Sequence, residues 1–483
     1  MNYSKAERAR QIFERARSQR QKWENLWNEC FTYTQPLNTT EFFSSNASST
    51  KQNSTLYDST APDAVEQLAA SLLAELTPPG HQWFTLEKAI ELDDQSQTDI
   101  ALEKISDELN SMVEKSNLAI ELHQSFIDLT TIGTACILVE QTAVGSRSPL
   151  SFSAVPINEI YLHGSKNGAI KTIFRVFDML RHDAIAKFPA AIELQRDNEQ
   201  NASDVVKIIE MYELTDSGCS YCAFLQPEKN HFVCVDQGEF KSSPIVVFRW
   251  NKNPGELYGR SPIMTTLADI KTANKVVELI LKNASISVTG IWLAEDDGIL
   301  NPRNVRLVPG AIIPKAIGSK GLTPLEAPGR FDVSQLVLSD LREKIRKTML
   351  VDKLGQPKNT KMTATEILER SIETTRILGA TFSRLQSELI YPLLERIMSV
   401  FEQRGILPLN FINSGSLTLR YKSPLLRAGA RSQLANTILW ADTAKALGSE
   451  ALQFIDYYQT VRWIADTLDV PKSLHHAIND FGD

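Results

Sequence analysis

Long apolar runs are missing from this 483-residue sequence. A helix that crosses a bilayer needs roughly 18 to 20 consecutive apolar residues, and none is present, so no membrane span and no membrane partner are expected. The N-terminal stretch also lacks the apolar block of a secretory leader. Cysteine is scarce: Cys30, Cys136, Cys219, Cys222 and Cys234 are five widely spread thiols, an odd number that predicts a reducing compartment rather than a disulfide framework. Positive charge is not in excess, since 51 Lys and Arg face 58 Asp and Glu, for a net charge of −7. That balance excludes a protein that coats nucleic acid, and leaves room only for local contacts through a few placed cations. Catalytic signatures are absent too: there is no G-x-x-x-x-G-K-[ST] phosphate loop, no H-E-x-x-H and no G-x-S-x-G elbow. His475 and His476 are adjacent, so on a helix they diverge, and no carboxylate spacing singles out an acid and base pair. No catalytic residue, metal or cofactor is predicted.

What is present is the material of a real core. Apolar residues at 42% and charged residues at 23% are ordinary for a globular chain, and the length suits two to four domains or one elongated subunit. Ser4 and Glu7 form a capping-box pattern ahead of a helix that mixes Arg8, Arg10, Arg15, Arg17, Arg20 and Lys22 with Ile12, Phe13, Trp23 and Leu26. A solvated basic face over an apolar stripe is the plainer reading of it; a surface for nucleic acid or membrane is the other. Asn38 to Thr55 is an Asn, Ser and Thr-rich loop. The segment LYDSTAPDAVEQLAASLLAEL, residues 56 to 76, predicts a buried helix capped by Ser59 or Thr60, and Trp83, Phe84 and Leu86 a short strand after the Thr77-Pro78-Pro79-Gly80 breaker. Two helices follow between Asp99 and Thr131.

After Gly133 the periodicity changes to short β-rich runs with turn residues between them. Cys136 to Val139, Ile173 to Leu180, Val206 to Leu214, His231 to Val235 and Ile245 to Trp250 predict an antiparallel β-rich module. Within it Cys219, Cys222, His231 and Cys234 offer half of a zinc site, from which a zinc- or thiol-dependent enzyme is one rival reading; the second tight pair is missing, and cysteines in strands and turns of a mixed core are the default. Ser261 and Pro262 then start a helix to about Val288 with Ile263, Leu267, Ile270, Val277 and Leu281 on one stripe. Gly290 to Arg330 breaks it with short β-like runs such as Ala311 to Ile313, and a second helix runs from Asp332 to about Leu350. The loop from Val351 to Met362 carries Lys353, Lys358 and Lys361. Thr363 and Glu366 form a T-x-x-E box that opens a long helix to about Arg404, with Pro392 expected to kink it and Gly405 to stop it. A strand at Leu417 to Lys422 precedes a helical remainder from Pro424 in which Ile438, Leu439 and Trp440, then Phe454, Tyr457, Val461, Trp463 and Ile464 read as packed faces. The fold class is α+β, mainly helical.

The order of these parts carries more than any one of them. LYDSTAPDAVEQLAASLLAELTPPGHQWFTL, then ELYGRSP ahead of a long helix, then KMTATEILER, LQSELIYPLLERI and GILP, resembles the portal (head-to-tail connector) proteins of short-tailed phages over Tyr57 to Pro408. That resemblance implies an elongated subunit with residues 1–261 as wing, 262–289 and 332–350 as stem helices, 290–331 as clip, 351–362 as channel loop, 363–423 as long wing helix and strand, and 424–483 as crown. It implies a ring of twelve copies at one capsid vertex, assembled in the host cytoplasm and resident in the virion. Its partners would be copies of itself, double-stranded DNA bound without sequence specificity, a terminase motor, tail adaptor or nozzle proteins, and capsid and scaffolding proteins. Lys353, Lys358 and Lys361 would meet DNA, with Lys344 and Lys347 on the stem; Arg303, Arg306, Lys315 and Lys320 of the clip would meet partners. No catalytic residue is implied, ATP being hydrolysed by the separate motor. A generic helical adaptor is the third reading.

Overall fold

The change of period after Gly133 divides the chain into helices, then sheets, then helices again. The computed structural model describes residues 2–35, 56–88, 96–143, 145–189, 205–216, 218–228, 231–289, 292–294, 322–324, 331–351, 379–407, 417–422, 424–448, 455–468 and 470. Helix α1 (Asn2–Thr34) begins before Ser4, so the expected capping box does not open it; Glu7 instead accepts from the Arg10 guanidinium at 2.7 Å, a pairing available one turn along the same face. Its buried stripe is Ala9, Phe13, Ala16, Arg20, Trp27 and Cys30, while Arg8, Arg15, Arg17 and Lys22 stay exposed, which is the solvated-face arrangement. Arg20 departs from its basic neighbours. Its guanidinium is buried, pairs with Glu24 at 2.8 Å, donates to the Asn158 carbonyl at 2.6 Å and lies 3.6 Å over the Tyr161 ring.

Helix α2 (Thr60–Leu76) is capped otherwise than expected. Ser59 makes no side-chain bond there; the Asp58 carboxylate accepts the Thr60 N–H at 2.8 Å. Strand β1 (Phe84–Lys88), α3 (Ser96–Glu114) and α4 (Leu118–Ile132) follow as the sequence predicts. The β-rich segment then folds as two antiparallel sheets. The first has β2 (Thr134–Gln141) between β3 (Leu150–Ala154) and β9 (Ile245–Arg249). The second is a meander of β4 (Ile160–Gly164), β5 (Ile170–Leu180), β6 (Val205–Thr215), β7 (Gly218–Glu228) and β8 (His231–Phe240), with the short α5 (Arg181–Lys187) inserted after β5. Phe13 of α1 packs edge-on against Tyr161 and Phe174, so α1 covers one face of this meander.

The edges of β3 and β4 are occupied, and that of β8 is blunted. Asn117 exchanges both hydrogen bonds with Phe152 of β3, at 2.7 and 2.9 Å, and Glu121 accepts the Ala154 N–H at 2.8 Å. On β4, Leu162 donates to the Tyr258 hydroxyl at 3.0 Å and the Ile160 carbonyl accepts from Arg20. Along β8 a bulge sets Ala223 against Asp236 but Phe224 against Cys234, and Asp236, Gln237 and Glu239 are exposed. A bulge and two charges at an edge disfavour pairing with another chain.

Helix α6 (Pro262–Thr289) spans 28 residues, about 42 Å at 1.5 Å per residue. Two three-residue strands, β10 (Trp292–Ala294) and β11 (Leu322–Pro324), pair antiparallel, so the ends of the excursion meet. Helix α7 (Phe331–Thr348) returns against α6. The chain is helical again at 379–385, makes a π turn at Gln386–Ile390 and continues as α8 (Tyr391–Gln403). That wide turn takes the place of the simple kink expected at Pro392: the Tyr391 N–H reaches back five residues to the Gln386 carbonyl, resetting the ladder where proline lacks a donor. Gly405, at φ +69°, closes α8 as expected, with Ile406 donating to Phe401 and Gly405 to Glu402. Strand β12 (Leu417–Tyr421) pairs with β1, Phe84 opposite Tyr421.

Helices α9 (Pro424–Leu447) and α10 (Tyr457–Thr467) carry the main correction to the fold expectation. Ile438, Leu439, Trp440, Tyr457, Val461 and Trp463 are not packed faces within one subunit; all are exposed, Trp440 at 48%. Of the described side chains in this region only Ala444 and Ile455 are buried and Ile464 is half-buried, because α9 meets α10 and α2 over short stretches that enclose little space; Phe454 lies outside the described residues.

Candidate functional site

The paired helices α6 and α7 are set by a tight crossing at their root. Gly133 ends α4 in the left-handed conformation, φ +80°, and passes so close to Arg260 and Ser261 that a Cβ there would lie 2.4 Å from the Arg260 carbonyl carbon. Ser261 caps α6 as the sequence predicts: its hydroxyl accepts the Met264 N–H at 3.0 Å and donates to the Thr131 carbonyl at 2.8 Å, tying α6 to α4. Tyr258 is buried against Trp23 and Trp27, and burial pushes its hydroxyl up from its ordinary range. Farther along, Asn274 of α6 accepts the N–H groups of Tyr57 and Asp58 at 2.6 and 3.1 Å, while Arg342 of α7 pairs with the Asp58 carboxylate at 2.9 Å. Burial raises the Asp58 carboxyl, but the Thr60 hydrogen bonds and the Arg342 guanidinium outweigh it and hold the group below its usual value. One aspartate thus caps α2 and clamps both α6 and α7.

Of the two lysines near the end of α7, Lys344 pairs with Asp269 of α6 at 2.8 Å while keeping most of its side chain in water. Lys347 is exposed and forms no ion pair among the described residues. Lys353, Lys358 and Lys361, the Thr363 and Glu366 box, and Arg303, Arg306, Lys315 and Lys320 lie outside the described residues, as do Ala311 to Ile313 and most of the Asn, Ser and Thr-rich loop. The last described turn before Val351 has a feature that sequence reading missed. Leu350 takes φ +58° with its N–H on the Lys347 carbonyl, so a leucine holds the left-handed place after α7 that glycine usually fills. Nothing in the local sequence signals it, since the nearest glycine is Gly355.

The zinc reading fails on strand geometry. Cys219 and Cys222 are three apart on β7, and alternation sends them to opposite faces: Cys219 joins the main core, and Cys222 the cluster under α1 with Cys234. No group of three or more His, Cys, Asp or Glu among the described residues could hold a metal. Burial also raises the Cys219, Cys222 and Cys234 thiols, which opposes thiolate chemistry. The buried carboxylate Glu210 is fully occupied by Lys187 at 2.9 Å and the Tyr212 hydroxyl at 3.0 Å, and so it fastens α5 to the meander.

A helix, a short antiparallel strand pair and a returning helix, rooted beside two antiparallel sheets and their flanking helices, is the order of parts the structure shows. The family of bacteriophage head to tail connecting proteins matches residues 6–475. The chain belongs to that family. This connector is 23% identical over 478 residues to a probable portal protein of Bordetella phage BPP-1, covering 93% of this chain and 84% of that one. It is 23% identical to the portal protein of Salmonella phage epsilon15, covering 96% and 88%, and 22% identical to that of Escherichia phage T7, covering 83% and 75%. Among solved structures, a chain from the virion of a native gene transfer agent particle aligns with 84% of the connector at a TM-score of 0.39 and 10% identity.

Proposed function

We propose that this connector works as the portal of a tailed phage: copies form a closed ring at one capsid vertex, DNA enters and leaves through the central channel, and a terminase motor and then tail proteins dock on its outer end. The observation that carries the reading is the family match over nearly the whole chain. The exposed apolar residues support its oligomeric part. Ile438, Leu439 and Trp440 of α9, Tyr457 and Val461 of α10, Leu279 and Leu281 of α6, and Leu336 and Val337 of α7 all face water in a single copy. Neighbouring copies in a ring would cover them. The protein is structural in this reading, with a virion location and no catalytic residues of its own.

DNA contact falls to a few lysines per subunit on an acidic chain, with Lys353, Lys358 and Lys361 foremost and Lys347 on the stem. Lysine is a point charge without arginine's bidentate fork, so such contacts follow the backbone and read no sequence. Lys344 is a weaker candidate because Asp269 already neutralises it. The clip residues Arg303, Arg306, Lys315 and Lys320 would face motor or tail proteins.

Negative-stain imaging or native mass measurement tests the ring: closed oligomers are expected at micromolar concentration, and a strictly monomeric protein, even with its scaffold present, would sink the reading. Replacing Lys353, Lys358 and Lys361 together with alanine tests the conduit. Particles should still assemble but package or retain less DNA, with a weaker dependence on salt. Unchanged packaging and retention would favour the plain helical adaptor.

A further inference from the structure

Between Arg8 and Asn28 every exposed side chain of α1 is basic or neutral, on a chain whose net charge is −7. Glu14 is half-buried there, and Glu24 is inside, paired with Arg20. Arg8, Arg15 and Lys22 recur at seven-residue steps, so they share one flank of the helix over about 21 Å at 1.5 Å per residue. We propose that this flank, with Lys171 of β5 beside it, binds the phosphate backbone of double-stranded DNA outside the channel.

Freedom from counter-charges comes first. Arg15, Lys22 and Lys171 are exposed and have no ion-pair partner among the described residues, while Arg8 shares Glu213 at 2.9 Å. The next seven-residue step, Glu29, is taken by Lys271 of α6 at 2.7 Å and marks the end of the flank. The sheet brings Lys171 to the same place. Its neighbour Thr172 lies opposite Glu213, the partner of Arg8, in the β5 to β6 ladder. The half-buried imidazole of His163 on β4 is held below its ordinary value by burial first and then by the Arg15 and Lys171 cations, so both stand near one ring.

What the flank lacks decides the kind of polyanion. No large apolar residue is exposed on α1 between Arg8 and Gln35, whereas a protein partner is anchored by apolar or aromatic side chains at a buried centre. A single strand stacks its bases on aromatic rings, and none is exposed here. A membrane-bound helix turns its apolar stripe to lipid, but α1 buries Phe13, Ala16 and Trp27 against its own sheet and helices. A duplex backbone asks only for cations: at one charge per 1.7 Å it carries about 12 charges along this flank, so a few cations find phosphates in any register. The strip lies apart from the channel-loop and stem lysines. Only the choice of DNA as the duplex rests on the portal reading above.

A covalently closed circular duplex tests the contact, because a circle has no end to enter a ring's channel. Gel-shift titration of the full chain at about 0.1 M salt is expected to show saturable binding that weakens as salt rises. The triple variant Arg15→Gln, Lys22→Gln, Lys171→Gln should bind the circle at least about tenfold more weakly and with a shallower salt slope, while the Lys353, Lys358 and Lys361 alanine variant keeps its binding. Urea midpoints establish that the triple variant folds. No binding of the circle, unchanged binding in the folded triple variant, or poly-L-glutamate competing as well as the duplex does would overturn the assignment. Native mass separates the two readings. A closed ring whose circle binding survives the triple change sinks this contact alone, and a monomer that loses binding on that change sinks the ring alone.

Discussion

Gly133→Ala is expected to destabilise the subunit by about 3 kcal/mol or more, through a strained backbone and a forced shift of packed neighbours. The left-handed φ alone does not account for that size. Gly405 has a similar φ of +69° and nothing within 4 Å of an added Cβ, so Gly405→Ala should cost only the conformational part, about 1 kcal/mol. At Gly133 the added carbon would lie 2.4 to 2.7 Å from three backbone atoms of Arg260 and Ser261, which cannot swing away as a side chain can. Those residues are the root of α6, and the shift would tilt that helix as well as strain α4. Urea midpoints of the two variants make the comparison, and ring formation of Gly133→Ala should fall with its stability. Equal midpoints would mean that the crossing at Gly133 is loose.

The second large effect belongs to Arg249 and Glu388. The end of β9 meets the π turn through two parallel hydrogen bonds, Nε to Oε2 at 2.9 Å and Nη2 to Oε1 at 2.7 Å, and the same guanidinium donates to the Gly168 and Leu257 carbonyls. Arg249 is 6% exposed at its side chain and Glu388 19%, so removing one partner strands a buried charge. Glu388→Ala is expected to cost about 3 kcal/mol, whereas the paired change Arg249→Met with Glu388→Leu should recover most of it, since apolar replacements of a buried pair are often tolerated. Denaturation curves of the single and double variants decide it. A double variant as unstable as the single one would show that the carbonyl bonds of Arg249, and not the ion pair, hold this corner.

Local signals account for what the sequence made legible. Ser261 with Pro262, the Gly133 and Gly405 turns and the β-rich runs of β2, β5, β6 and β9 each act within a few residues, and the structure keeps them. Strand β7 escaped because Gly218, Cys219, Ser220 and Cys222 read as turn chemistry, although β6 and β8 on either side impose extension. The capping box at Ser4 and the cap at Ser59 failed for a related reason: the motif marks a competent residue, and tertiary context selects among competent residues. Arg20 looked like one more charge on a basic face; Glu24 one turn along the same helix is readable from spacing, but the Asn158 carbonyl and the Tyr161 ring that bury it come from elsewhere in the chain. Pairings across hundreds of residues, such as Arg249 with Glu388 or Asp58 with Arg342, leave no trace in spacing. The α6 and α7 pair was legible as two helices around an excursion, but its lysines were legible only as charges; Asp269 facing Lys344 is a fact of packing.

The guarded strand edges bear on how copies of this protein meet. Asn117 and Glu121 occupy the rim of β3, Arg20 and Tyr258 that of β4, and a bulge with acidic neighbours blunts β8. In the ring proposed above, identical copies crowd together, and open rims on identical neighbours could fuse into sheets without end. With that route disfavoured at β3, β4 and β8, the exposed apolar flanks of α6, α7, α9 and α10 are the surfaces such a ring would use. Their contact angle is fixed by side-chain packing, and a fixed angle lets a growing arc find its own beginning rather than run on as a fibre.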